Sequence, residues 1–202
     1  IRNDPPFDNR YLYTTFLLSH ISKKVSDKLE ELFKKDREDF EKKWDDIKVF
    51  IEYGMLSDEK FFERAQKFAL YKTTEGKYFT LDELKEEIKT NQTDKDDKLI
   101  FLYANDIDGQ HSYIQAAENK GYKVIILDSP LTAHLVGKLE QHVEKSSFTR
   151  IDADTIDKLI NKDEEIPSKL SDEEKEKLKP VIEEVVEKEK FTVQFESMNE
   201  SD

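Results

Sequence analysis

Cysteine is absent from the 202-residue chain, and that gap alone excludes disulfide scaffolds, thiolate metal sites and cysteine nucleophiles. A reducing, cytoplasmic location fits it. Long apolar runs are missing as well. Val124–Leu127 is typical of those present, against the ~20 apolar residues that a membrane-spanning helix needs, so no membrane partner is expected. The opening, Ile1–Arg10, is polar and contains Pro5–Pro6, unlike a secretory signal. Positive charge is in deficit: 33 Lys and Arg face 46 Asp and Glu, a formal net charge of −13. Binding a nucleic-acid backbone needs the opposite balance, and even Lys23–Lys24 is diluted by Asp27, Glu30 and Glu31. Nucleic acid is therefore not expected as a partner.

Glycine is scarce, with five in the chain, and no G-x-G-x-x-G occurs. Gly137–Lys138 resembles the end of a phosphate loop, but Thr132 stands where that motif needs glycine and Leu139 where Ser or Thr should hold magnesium. Gly137 is instead expected to be a close-packing point on a helix. Asp106-Ile-Asp-Gly109 has the look of half a calcium loop. Setting Gly109 at the sixth loop position, however, puts Ala104 and Gln115 where carboxylates are required, so the residues read as a polar turn with Asp108 as a cap. The histidines are His20, His111, His134 and His142. The last two, eight apart on one expected helix, lie about 12 Å from each other, too far to share a metal ion. No G-x-S-x-G elbow accompanies any of them, and neither catalytic nor metal residues are assigned.

What is present is charge and helical periodicity. Charged residues make up 39% of the chain and hydrophobic residues 36%. Residues 1–18 form an irregular N-terminal segment with a β-prone aromatic stretch, Tyr11–Phe16. Residues 19–72 read as a helical connector, with stripes at Ile21, Val25, Leu29 and Leu32 and at Phe40, Trp44, Ile47 and Ile51. Gly54 is expected to stop the second helix and Ser57 to cap a third. Trp44 reads as core. Residues 73–160 form the next unit, opened by a turn at Glu75–Gly76 and a capping box of Thr80 and Glu83. Its continuous apolar strands at 98–103, 122–127 and 148–151 alternate with helices at 109–119 and 131–143, with Gly121 ending the first of these. That pattern predicts an α/β fold, a small αβα sandwich on a mainly parallel sheet. Asp128–Ser129 follows a strand, where open α/β sheets bind ligands, and this keeps a small-molecule enzyme site near Asp128 as an alternative. Ser129 capping a helix with Pro130 at its first position explains the same residues without a ligand. From 161 to 202 acidic residues and lysine dominate. Ser171 and Glu174 form a second capping box, Pro180 interrupts a helix, and Phe191–Phe195 alternates like a strand. This stretch reads as the α+β start of a further, truncated domain.

Several strings carry a more specific signal. Ile21-Ser-Lys-Lys-Val-Ser-Asp-Lys-Leu29, Asp36-Arg-Glu-Asp-Phe-Glu-Lys-Lys-Trp44, Ile51-Glu-Tyr-Gly54, Asp58-Glu-Lys-Phe-Phe62, Lys77-Tyr-Phe-Thr-Leu-Asp-Glu-Leu84, Tyr122–Pro130 and Ser147-Phe-Thr-Arg-Ile-Asp152 resemble, in order and spacing, the heat-shock protein 90 chaperones, above all their bacterial form. The resemblance covers about residues 19–198. It implies the connecting helices and small αβα unit of that family's middle domain, followed by the opening of its C-terminal dimerisation domain. It further implies a parent that is an ATPase, with ATP and magnesium held in an N-terminal domain outside this chain. The parent would form a homodimer through C-terminal helices also outside it. This segment would bind unfolded client proteins and carry no active site or cofactor of its own. A free-standing acidic adaptor is the other alternative. The family's ATP-contacting arginine precedes the Ile-Ser-Lys-Lys helix, but Arg10 stands too close to Ile21, so the role is not carried to it. Bacterial relatives place an acidic residue beside a large aromatic where this chain has Ala133 and His134. A looser client-binding patch of Leu131, His134 and Leu135, faced by Phe195 and Met198, is the candidate here; packing of Leu131 and Leu135 on the sheet explains the same two leucines without a client.

Overall fold

A computed structural model describes residues 9–160 and 172–185. Two long helices, α1 (Asn9–Lys35) and α2 (Arg37–Ser57), are separated by Asp36, whose carboxylate accepts the Asp39 amide and caps α2. The rings of Phe33 and Phe40 meet edge to face across that break. α1 begins at Asn9, so Tyr11–Phe16 is helical backbone rather than extended; helix continuity with the periodic stretch that follows overrides a local β-preference. α2 runs through Gly54 to Ser57, and α3 (Glu59–Ala65) is capped by Asp58, not Ser57: the Asp58 carboxylate accepts the Lys60 and Phe61 amides. Gly54 is not a stop. A Cβ there would come within 2.7 Å of the Phe61 ring, so its missing side chain lets α3 approach α2.

A short hairpin of β1 (Tyr71–Lys72) and β2 (Tyr78–Phe79) turns at Gly76, whose φ of +80° suits glycine. The Thr80–Glu83 capping box then opens α4 (Leu81–Ile88), with both reciprocal hydrogen bonds present. The sheet follows: β3 (Leu99–Ala104), α5 (His111–Asn119), β4 (Val124–Ile126), α6 (Thr132–His142) and β5 (Ser146–Arg150), then α7 (Ile156–Leu159). Strand order is β4-β3-β5, all parallel, with Phe101 beside Phe148 and Leu102 beside Val124. Gly121 ends α5 at φ +73°.

The pleat divides the core. Phe101 packs with α2, α3, α4 and α6 residues, its ring stacked on Phe148 at 4.5 Å between centroids. Ile100, Leu102 and Ala104 point the other way, to Ile114 and Ala117 of α5 and Leu159 of α7. Helices on both faces of a parallel sheet make the expected αβα sandwich, and Trp44 is buried in it. Three local readings change. Asp106, not Asp108, accepts the Gly109 amide, and Gln110 occupies the cap of α5. α6 starts at Thr132 because Ser129–Leu131 forms a turn held by the Leu131 amide on Ser129 Oγ. Gly137 has open space around it and is not a packing point. Farther on, α8 (Asp172–Val185) carries Pro180 inside it. Ser171 and the expected strand at 191–195 lie outside the described residues.

Candidate functional site

Helices α1 and α2 leave an open apolar groove of about 920 Å³ along one side. Ile21, Val25 and Leu29 recur every four residues and so share one face of α1; with Ile47, Phe50 and Tyr53 of α2 they line the groove. Phe50 is 77% exposed, Tyr53 64% and Ile21 57%. Isolated apolar residues at a surface need no explanation, but a contiguous set does. The acidic residues beside the groove are already engaged. Asp58 caps α3, and Glu59 binds Lys138 at 2.8 Å and His142 at 2.6 Å. The hydrogen bond from Lys138, then that from His142, holds the Glu59 carboxyl below its ordinary range. What the groove offers a partner is chiefly apolar area, which is non-directional.

A second, smaller cavity of about 250 Å³ lies beyond the ends of β3 and β4, the location where parallel sheets take ligands. Trp44, Met55, Leu70, Leu127 and Leu135 give it apolar walls. Asp45, Lys48 and Glu52 enter from α2 at helical spacing. Lys48 Nζ donates to Asp128 Oδ1 at 2.7 Å and Asp45 Oδ1 at 3.3 Å, while Lys72 Nζ donates to Asp45 Oδ2 at 2.8 Å. The Lys72 hydrogen bond is the main reason that the Asp45 carboxyl titrates low. Glu52 is different. It is 7% exposed, and its Oε2 has no hydrogen-bond partner. Burial pushes its carboxyl up, against the opposing pull of a Ser129 hydrogen bond and the Lys48 charge. Tyr71, buried beside it, is likewise raised by desolvation and by the Glu52 charge.

The residues singled out in the sequence are only partly brought together. His134 is exposed and Leu131 half-buried. Leu135 is 2% exposed and packs in the core beside the smaller cavity, so it offers no surface to a client. Phe195 and Met198 lie outside the described residues. Asp128 does sit at a strand end, at the cavity mouth, but as Lys48's ion-pair partner. Among the described residues no group of three or more His, Cys, Asp or Glu could hold a metal ion, and no helix is long and apolar enough to cross a membrane. Sequence reasoning missed Phe50, Tyr53 and Glu52. The signal for Glu52 was the ladder Asp45, Lys48, Glu52 on one edge of the buried Trp44–Ile51–Met55 stripe.

Comparison with known proteins covers most of the chain. The chain is 50% identical over 183 residues to the chaperone protein HtpG of Porphyromonas gingivalis, covering 89% of this chain and 27% of that protein. It is 48% identical over 186 residues to HtpG of Bacteroides fragilis, covering 91% and 27%. With HtpG of Bacteroides thetaiotaomicron it shares 53% over 158 residues, covering 78% and 23%. The chain thus spans about a quarter of the length of the curated relatives it matches. Among solved structures, the middle domain of a Plasmodium falciparum heat shock protein superposes with a TM-score of 0.54 at 12% identity, over 71% of this chain and 59% of that one. That likeness shows the αβα fold. A family profile for the N-terminal domain of prokaryotic glutathione synthetase matches residues 1–32. The match ends inside α1 and takes in neither the sheet nor the smaller cavity.

Proposed function

Because the chain belongs to the heat-shock protein 90 family, matching a middle-region stretch of HtpG chaperones, we propose that it works by binding unfolded or partly folded client proteins. Its parent is read as a cytoplasmic, ATP-dependent chaperone, homodimeric, with ATP and magnesium bound outside this segment. The segment itself holds clients and passes ATPase-driven motion toward the dimer. The observation that supports client binding best is the α1–α2 groove, where Ile21, Val25, Phe50 and Tyr53 remain exposed together. Burying apolar side chains suits a partner with no fixed sequence, because the gain scales with area at ~25 cal/mol per Å² and not with geometry. His134 and the accessible part of Leu131 make a second, smaller contact on α6.

Transmission of motion is supported by the ties between the helical connector and the αβα unit. Arg37 binds Glu83, Lys48 binds Asp128, and Glu59 binds Lys138. A torque on α2 and α3 therefore reaches the αβα unit at three separate points, α4, the residues just past β4, and α6.

The test is suppression of aggregation of a chemically denatured client by the full-length parent carrying Phe50→Ser and Tyr53→Ser. Both side chains are exposed, so the fold is expected to survive by circular dichroism. Suppression should fall several-fold; unchanged suppression with an intact fold would remove the groove from client binding.

A further inference from the structure

We propose that the cavity beyond β3 and β4 is a binding site for an alkyl cation, an ammonium or guanidinium group carried on a short chain of methylenes. Its charge inventory gives the sign. Lys48 and Lys72 are two cations facing three carboxylates, Asp45, Asp128 and Glu52. The two lysines are spent on Asp45 and Asp128 through bonds of 2.7 to 3.3 Å. The remaining carboxylate is the innermost one. Glu52 is 7% exposed with Oε2 unpartnered, and a buried carboxylate oxygen without a donor costs the full desolvation of the group. A ligand N–H would supply the missing partner, and a cationic one would form the stronger, charge-assisted bond. Burial already disfavours the ionised form of this carboxyl, so an arriving cation reverses the local preference.

The remaining features set the size and shape of the ligand. About 250 Å³ is below the roughly 300–1,000 Å³ of pockets that enclose drug-sized ligands, and suits one side chain or a small amine. Trp44, Met55, Leu127 and Leu135 present apolar walls against which methylenes pack, as lysine and arginine stems do elsewhere. The cation comes either from a lysine or arginine side chain of a bound polypeptide or from a free amine. The site is separate from the α1–α2 groove and stands whether or not that groove holds clients.

Trp44 is the only tryptophan and lines the cavity, so its fluorescence reports occupancy. The 202-residue chain is titrated with n-butylguanidinium, n-butylamine, n-butanol and n-butyrate. A saturable change with the two cations, and none with the alcohol or the acid at equal concentration, is expected. Glu52→Gln, which keeps the shape, should weaken cation binding at least tenfold. Ile107→Arg places a fixed cation at the exposed mouth and should abolish it. An acetyl-Gly-Arg-Gly-amide peptide separates the sources. Binding at least tenfold tighter than n-butylguanidinium assigns the site to polypeptide side chains, and equal or weaker binding assigns it to free amines. No saturable change with either cation, equal response to n-butanol, or undiminished binding by the folded Glu52→Gln variant would overturn the proposal.

Discussion

Arg37 and Glu83 form a forked ion pair, Nη1 donating to Oε1 and Nη2 to Oε2, the latter at 2.8 Å. They stand 46 residues apart in the chain. One opens α2 and the other is the third residue of α4, so the pair fastens the helical connector to the αβα unit. Arg37 also donates to the Tyr78 carbonyl at 3.0 Å and lies over the Phe33 ring.

The pair has a pH signature. The hydrogen bond from Arg37, followed by the Thr80 amide, holds the Glu83 carboxyl at about 2, down from 4.5. A depressed carboxyl contributes stability that is complete above its unfolded value and is lost as pH falls through the folded one. Arg37→Ala should therefore destabilise by about 1 kcal/mol at neutral pH, modest because both side chains are more than a third exposed. The cost should shrink between pH 4.5 and 2. Denaturant melts of the two proteins across that range measure it.

Glu52 should show the opposite sign. Burial holds its carboxyl above the ordinary 4.5, so the native state binds a proton that the unfolded chain has released, and stability falls as pH rises through that window. Glu52→Gln should melt higher than the parent sequence at pH 7, by a few degrees for a gain of about 1 kcal/mol. The difference should vanish below pH 4.5, where both side chains are neutral.

Two helical glycines should respond to alanine in opposite directions. At Gly54 a methyl group meets the Phe61 ring, itself only 5% exposed, at 2.7 Å. Overpacking costs typically ~1–3 kcal/mol, which outweighs the ~1 kcal/mol of helix propensity gained. Gly54→Ala should lower the melting temperature. At Gly137 nothing lies within 4 Å of the added carbon, so Gly137→Ala should raise it.

The two client contacts should differ in weight. Phe50→Ser with Tyr53→Ser removes two exposed aromatic rings, whereas His134→Asp alters one exposed side chain beside a half-buried Leu131. Both should weaken aggregation suppression by the full-length parent, the double variant more. A larger loss from His134→Asp would move the main contact to α6.

Much of the fold could be read from local chemistry. The Thr80–Glu83 box, the glycines at 76 and 121 and the apolar strands around Leu102, Val124 and Phe148 each specify their own conformation without knowledge of the rest. What escaped depends on which surfaces meet. Ile21 and Val25 share a helical stripe with Leu29, and a stripe reads as core, yet only Leu29 finds a covering neighbour. Gly54 looks like a helix stop until Phe61 is placed against it. Glu52 shares a helical ladder with Asp45 and Lys48 beside the apolar stripe, but its burial is completed by Leu70, Leu127 and Ser129 from later in the chain. Sequence leaves Leu135 open between core and client patch for the converse reason: the same leucine serves either, and only the packing of α6 on the sheet decides for the core.

The measurement that bears most directly on client binding by the groove is site-specific photo-crosslinking. A photoreactive phenylalanine analogue at position 50 of the full-length parent, and separately at the exposed Tyr113 as control, is irradiated with a labelled client in its unfolded and folded forms. The expected result is strong crosslinking of the unfolded client from position 50, little from position 113, and little of the folded client from either. Crosslinks from position 50 only to other parts of the parent, with none to the unfolded client, would show that the groove is an internal contact and contradict its role in holding clients.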